Sequence, residues 1–166
     1  MTTKRACLTA AALIVGVALL ALAGWWRERP YAPAPIAFHT ITGEPFHSGD
    51  FSGRLTLVNF WATTCSVCLR EMPRLAALQE RYRGRVQVLA VAMAYDPPNR
   101  VVSYANSTRL PFKVAADIDG KIAGAFGTVA ATPTYFLIDR TGRVTYRAVG
   151  ANLDQIERKI AAALST

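Results

Sequence analysis

Arg54 to Ala62, RLTLVNFWA, is the stretch that most narrows the folds open to this chain. Its residues are β-prone and apolar at successive positions, not only at alternate ones, so both faces of the strand must be covered. Such a strand belongs in the middle of a sheet with a layer on either side. The period then changes. Leu69, Met72 and Ala76, with Leu75, Leu78 and Tyr82, recur at helical spacing within Val67 to Arg83. Val86 to Met93 is a second buried strand, and Pro97-Pro98 opens a helix over about Asn99 to Ser107, proline being at home in a first turn. Phe112 to Ala116 is a short strand and Lys121 to Phe126 a short helix. TYFLID and RVTYRAVG, joined through Arg140-Thr141-Gly142, form an antiparallel hairpin. Leu153 to Leu164 closes the chain as an amphipathic helix, with Asn152 as its cap. Ahead of all this, Ala37 to Thr42 is a strand turned by Gly43-Glu44-Pro45. The alternation predicts an α/β fold with helices on both faces of one sheet.

Ala6 to Trp26 carries no charge over 21 residues and follows Lys4 and Arg5. About 20 apolar residues cross a bilayer. Basic residues ahead of such a span stay on the cytoplasmic side, which sends the rest of the chain across. Trp25 and Trp26 suit the interfacial belt of a retained anchor. Ala21-Leu22-Ala23 before Gly24 also has the small-x-small form of a signal-peptidase site. The length of the run favours the anchor, and either reading exports the domain. Cys7, early in the run, has no small-residue lipobox before it and reads as a membrane-embedded thiol. RPYAPAP, Arg29 to Pro35, reads as a stiff extended spacer. The expected division is an anchor or signal sequence at 1–26, a Pro-rich linker at 27–35 and a domain at 36–166. The formal charge is +8, but the arginines are scattered, and an exported domain does not meet nucleic acid. A solvated basic surface is the reading, with no nucleic-acid partner.

Cys65 and Cys68, three apart, stand where the strand from Arg54 hands over to the helix. A helix start has unpaired N–H groups and the positive end of the dipole, both of which favour a thiolate. Cys68 is one turn on, near enough to close a small disulfide ring. Zinc needs two further ligands, and His39 and His47 are eight apart, without a finger's spacing. A structural disulfide is a weightier rival in an exported domain, but so short a loop gains little stability from closure. The redox reading of C-x-x-C at a strand-to-helix junction is preferred. In such a pair the first cysteine attacks and the second resolves.

LVNFWATTCSVCLREMP followed by TPTYFLIDRTGRV resembles the TlpA/ResA/CcmG group of membrane-anchored, thioredoxin-like thiol–disulfide oxidoreductases. The resemblance covers Ile36 to Thr166. It implies a thioredoxin fold, a mixed central sheet with helices on both faces, with an N-terminal β-extension and an extra strand–helix insert. It makes Cys65 the nucleophile and Cys68 the resolving cysteine of a redox-active disulfide, with no other cofactor and no metal. Pro133 corresponds to the cis-proline facing the disulfide, preceded by Thr132. Trp61, Thr64, Ser66, Val67, Thr132 and Pro133 then form the substrate groove. Glu71, three after Cys68, matches an acidic residue of the family that could hold or relay the Cys68 proton; a surface pairing with Arg74 at i+3 is the alternative. Asn59 stands where classical thioredoxins carry a buried aspartate, and Pro73 where they interrupt the helix. Three departures surround the groove. Thr64 replaces the usual tryptophan, Ser66-Val67 the usual x-Pro, and FGTVAATP is one residue longer than usual, with Ala131 in place of glycine. The implied activity is a disulfide reductase in the bacterial cytoplasmic membrane, with its domain on the periplasmic side. Its clients would be disulfide-bearing proteins such as apocytochrome c or copper-site assembly proteins, and its donor a membrane electron carrier of the DsbD/CcdA kind. A disulfide oxidase and a copper- or haem-handling module remain as rivals.

Overall fold

The structure, a computed structural model, describes residues 15–19 and 30–165. The chain divides into two compact units, Met1–Pro30 and Tyr31–Thr166. In the first, residues 15–19 are helical. Among the described residues no helix is long and apolar enough to cross a membrane. The span expected over Ala6 to Trp26, with Cys7, lies largely outside them.

The second unit is built on a five-stranded sheet. Its strands are β3 (Leu55–Trp61), β4 (Val86–Ala92), β5 (Lys113–Ala116), β6 (Thr134–Ile138) and β7 (Val144–Val149), in the order β5-β4-β3-β6-β7. β3 runs parallel to β4, and β4 to β5, while β6 is antiparallel to both β3 and β7. The sheet is therefore mixed. Every residue of β3 is buried, as its unbroken apolar sequence requires of a central strand.

Side chains alternate across a strand, and the core divides accordingly. Leu55, Leu57 and Trp61 of β3 join α1 (Ser66–Arg81), α2 (Pro98–Thr108) and α4 (Leu153–Leu164) in one cluster. Val58 and Phe60 join α3 (Lys121–Ala125) and the N-terminal extension in the other. The second cluster is aromatic: Phe60, Phe126 and Phe136 contact one another pairwise at centroid distances of 5.0 to 5.7 Å, a range in which tilted and edge-to-face rings attract. The extension comprises the hairpin β1 (Ala37–His39) and β2 (Pro45–His47) and a 3-10 turn, Ser48–Phe51. The strand expected over Ala37 to Thr42 is thus shorter: Thr40 closes the hairpin turn, its N–H on Glu44 O at 2.9 Å, and Thr40 and Ile41 pair with β5 through Ala115 and Val114. β5 and α3 occupy the place expected for a strand–helix insert.

From Tyr31 onward the Pro-rich segment lies along the domain. Tyr31 bridges to Val144 on β7, its hydroxyl donates to the Phe126 carbonyl at 3.0 Å, and the Ala34 N–H donates to Ala125 O at 2.9 Å. The prolines hold the segment extended, and the amides between them find carbonyls of the domain. Asn152 precedes α4 but does not cap it with its side chain; its amide donates backward to Val149 O at 3.1 Å.

Candidate active site

Cys65 is the N-cap of α1, with φ −89° and ψ 100°. β3 delivers it there through Ala62-Thr63-Thr64, a tight connection closed by the Cys65 N–H on Ala62 O at 3.1 Å. Cys65 and Cys68 are joined as a disulfide across a Cα separation of 5.2 Å. The Cys68 N–H donates to Cys65 Sγ at 3.1 Å, so a free helix amide points at the first sulfur. Backbone donors of this kind, with the helix dipole behind them, stabilise negative charge on that atom once the pair is reduced. Cys65 is half-buried, whereas Cys68 is 1% exposed. Only the first sulfur is open to a large partner.

The loop before β6 closes the other side. The Thr132–Pro133 peptide is cis, and Thr132 O lies 3.6 Å from Cys65 Sγ. Pro133 O accepts the Gly150 N–H at 2.8 Å and Ala131 O accepts the Thr134 hydroxyl at 2.6 Å, which anchors the loop at both ends. Thr64 and Ser66 are exposed beside Cys65, and Val67 and Thr132 are half-buried. Trp61 is fully buried and lies beneath this surface, its ring 5.3 Å from that of Tyr104. Pro133 is buried as well.

Two features carry no signal in the cysteine motif. Asp96, 3% exposed, accepts from the Thr63 N–H and hydroxyl, each at 2.5 Å, and so ties the connection before Cys65 to the loop after β4. The neighbouring Tyr95 is 63% exposed, with its hydroxyl 3.4 Å from Thr132 Oγ1. It stands at the rim of the same surface. The one clue available in sequence was position, since functional loops gather at the carboxyl ends of parallel strands.

Behind Cys68 the core is polar. Glu71, one turn further along α1, is 6% exposed, and its carboxylate accepts from the hydroxyl of Tyr135, itself fully buried on β6. The surface pairing of Glu71 with Arg74 is corrected: Arg74 instead bonds to Asp154 of α4. Asn59 lies opposite Tyr135 in the β3–β6 register, and both of its amide atoms are buried without a hydrogen-bond partner. Burial, then the Glu71 carboxylate, drives the Tyr135 phenol far above its ordinary range, so it is a donor at any working pH.

The two histidines are remote. His39 and His47 sit on the β1–β2 hairpin, where His47 pairs with Asp50. Among the described residues no group of three or more His, Cys, Asp or Glu side chains is arranged to hold a metal. A recess of about 770 Å³ between the extension and the β5–α3 loop, lined by residues such as Phe38, Asp117 and Ile118, includes neither cysteine.

A cysteine pair at the start of the helix after a central strand, faced by a cis-proline loop, defines a thioredoxin-fold protein. The Redoxin family profile matches residues 32–164, and the chain belongs to that family, within its ResA-like group. Over 111 residues it is 34% identical to the thiol-disulfide oxidoreductase ResA of Bacillus thuringiensis (strain Al Hakam), covering 66% of this chain and 63% of that one. The chain thus spans slightly less than two thirds of that relative's length. Over 137 residues it is 31% identical to the thioredoxin-like protein YneN of Bacillus subtilis (strain 168), covering 81% and 79%. The crystal structure of a thiol:disulfide interchange protein of the thioredoxin family from Chlorobium tepidum superposes with a TM-score of 0.72, at 28% identity, over 82% of this chain and 97% of that one.

Proposed function

We propose that this chain is a thiol–disulfide oxidoreductase that works as a disulfide reductase outside the cytoplasmic membrane. One observation carries the reading: the exposed sulfur of the pair receives a helix amide at 3.1 Å, while the other is sealed beneath it. That asymmetry suits an attacking and a resolving cysteine.

The cycle starts from the reduced pair. The Cys65 thiolate attacks one sulfur of a client disulfide, forming a Cys65–client bond and releasing the client's other sulfur as a thiolate. Thr132 beside Cys65 offers backbone to an extended client segment, in the manner of strand addition, and Tyr95 gives that segment an aromatic wall. Cys68 then attacks Cys65, losing its proton to Glu71 as its sulfur closes the Cys65–Cys68 bond. The client leaves with both sulfurs reduced, and its thiolates take up protons. Two electrons have moved from the pair to the client, and the reaction runs on sulfur alone.

The clients fit disulfide-bearing proteins such as apocytochrome c or copper-site assembly proteins, the pair being re-reduced by a membrane carrier of the DsbD/CcdA kind. The uncharged run from Ala6 to Trp26 supports a single-pass anchor with the domain on the periplasmic side. The deciding measurement is the reduction potential of the Cys65–Cys68 couple in a glutathione or dithiothreitol redox series. A reductase is expected toward the thioredoxin end, about −270 mV; a value toward the DsbA end, about −120 mV, overturns the reading in favour of an oxidase.

A further inference from the structure

The mechanism uses Glu71 but leaves unexplained what keeps it functional where it lies. A carboxylate in the core needs a hydrogen-bond partner there. Arg74, the cation one turn further along α1, is engaged by Asp154. What meets Glu71 inside the core is the phenol of Tyr135. Tyr135 is two residues beyond Pro133, and alternate residues of a strand share a face. The strand that carries the cis-proline loop therefore also presents this phenol to α1.

We infer that Tyr135 is the positioning residue for Glu71: its hydroxyl, donating to the Glu71 carboxylate, holds that group as a base one helical turn from Cys68. A hydrogen bond donated to a carboxylate favours its charged form. During resolution the Cys68 S–H bond breaks and its proton passes to Glu71. The Cys68 sulfur bonds to Cys65, the Cys65–client bond breaks, and the client sulfur departs with the bonding pair. Glu71 then returns its proton to the departing thiolate or to solvent. The Tyr135 proton stays on oxygen throughout, because burial and the neighbouring carboxylate both oppose its loss.

Few charges compete at this spot. Those acting on Tyr135 are Glu71 and Arg74, and Arg74 also feels Asp154 and Glu157 of α4. From β3 the facing group is Asn59, which does not titrate and whose buried amide has no hydrogen-bond partner. An unpaired buried amide is expensive, and one opposite Tyr135 gives this depth of the core a second polar group behind the cysteines.

The inference rests on the proposed role of Glu71, and the test separates the two. A mixed disulfide between Cys65 and a thionitrobenzoate leaving group is made on the full chain, and its resolution by Cys68 is followed as a function of pH. Tyr135→Phe removes one oxygen and keeps the ring. It is expected to move the acid limb up by about one pH unit, so that resolution on that limb slows about tenfold while the alkaline plateau is unchanged. Replacement of Tyr135 by 3-fluorotyrosine, a stronger donor, is expected to move the limb the other way, and this stands as the test should the Phe variant not fold. Glu71→Gln is expected to remove the limb, and adding Tyr135→Phe to it should change nothing further. If the Tyr135 variants match the wild-type profile while Glu71→Gln alters it, the positioning role is overturned and the Glu71 role survives. If Glu71→Gln leaves the profile unmoved, both fall. A double variant slower than Glu71→Gln alone also overturns the coupling, since Tyr135 would then act by a separate route.

Discussion

Cys65 is half in solvent and Cys68 is sealed below it, and that difference dictates what each variant does. Cys65→Ser should abolish reduction of a client disulfide and form no covalent adduct. Cys68→Ser should attack but not resolve, and so accumulate adducts that a non-reducing gel shows and dithiothreitol removes; adducts that fail to appear would reverse the two roles. Asp96 is tested separately. Asp96→Ala leaves the Thr63 N–H and hydroxyl without their acceptor. The expected loss is about 1–3 kcal/mol in a denaturant titration, with slower attack by Cys65 because the connection before it is no longer held. Cys65 and Cys68 were readable because their meaning is local, three apart at a strand end, whereas Pro133 was placed only by the family resemblance. Thr63–Asp96 and Glu71–Tyr135 were not readable, because 33 and 64 residues separate the partners and only the completed topology brings them together.

At the level of elements, sequence period located nearly all the strands and helices, since each buries one apolar stripe or both faces. It did less well where a segment's partner is distant backbone. Tyr31 and Ala34 looked like spacer because nothing local pairs them, and Thr40, at the end of its hairpin, also bridges to the edge that β5 offers. The β6–β7 turn is held locally. Asp139 Oδ1 accepts the Thr141 N–H at 2.8 Å, the Thr141 hydroxyl at 2.6 Å and the Arg143 N–H at 3.1 Å. Partial burial would raise the Asp139 carboxyl, but these hydrogen bonds outweigh it, and the group is held below its ordinary range. A carboxyl lowered in the folded state stabilises the protein above its unfolded value and ceases to do so as pH falls through the folded one. Asp139→Asn should therefore be less stable than the wild type above about pH 5, with the difference shrinking as pH falls below the ordinary Asp value of about 3.9 and gone only below the lowered folded value. A difference that grows on acidification in parallel melts would contradict this account of the turn.

For the molecule as a whole, the decisive property is the mixed order of the sheet. It puts the parallel strand carrying Cys65 next to the antiparallel strand that carries Pro133, so the site is assembled at the seam between β3 and β6. The outer strands are dressed by the chain's own N-terminal extension, Tyr31 against β7 and Thr40 against β5. A chain beginning at Tyr31 should melt with the full-length domain. One beginning at Ile36 loses the four Tyr31 and Ala34 hydrogen bonds and should be weaker by about 2–6 kcal/mol, at roughly 0.5–1.5 kcal/mol for each bond. It should also self-associate on a sizing column as the β7 edge opens. Equal stability of the two truncations would mean that the extension merely rests on the domain.

The same dressing has a consequence for traffic across the surface. An unfolded client is a chain in search of any unpaired backbone, and a bare flank would compete for it as a decoy. With both flanks partly occupied by the protein's own N-terminus, a strand captured at Thr132 meets less rivalry from the rest of the sheet. On the proposed mechanism, capture and chemistry then fall at one address, with Thr132 O 3.6 Å from Cys65 Sγ.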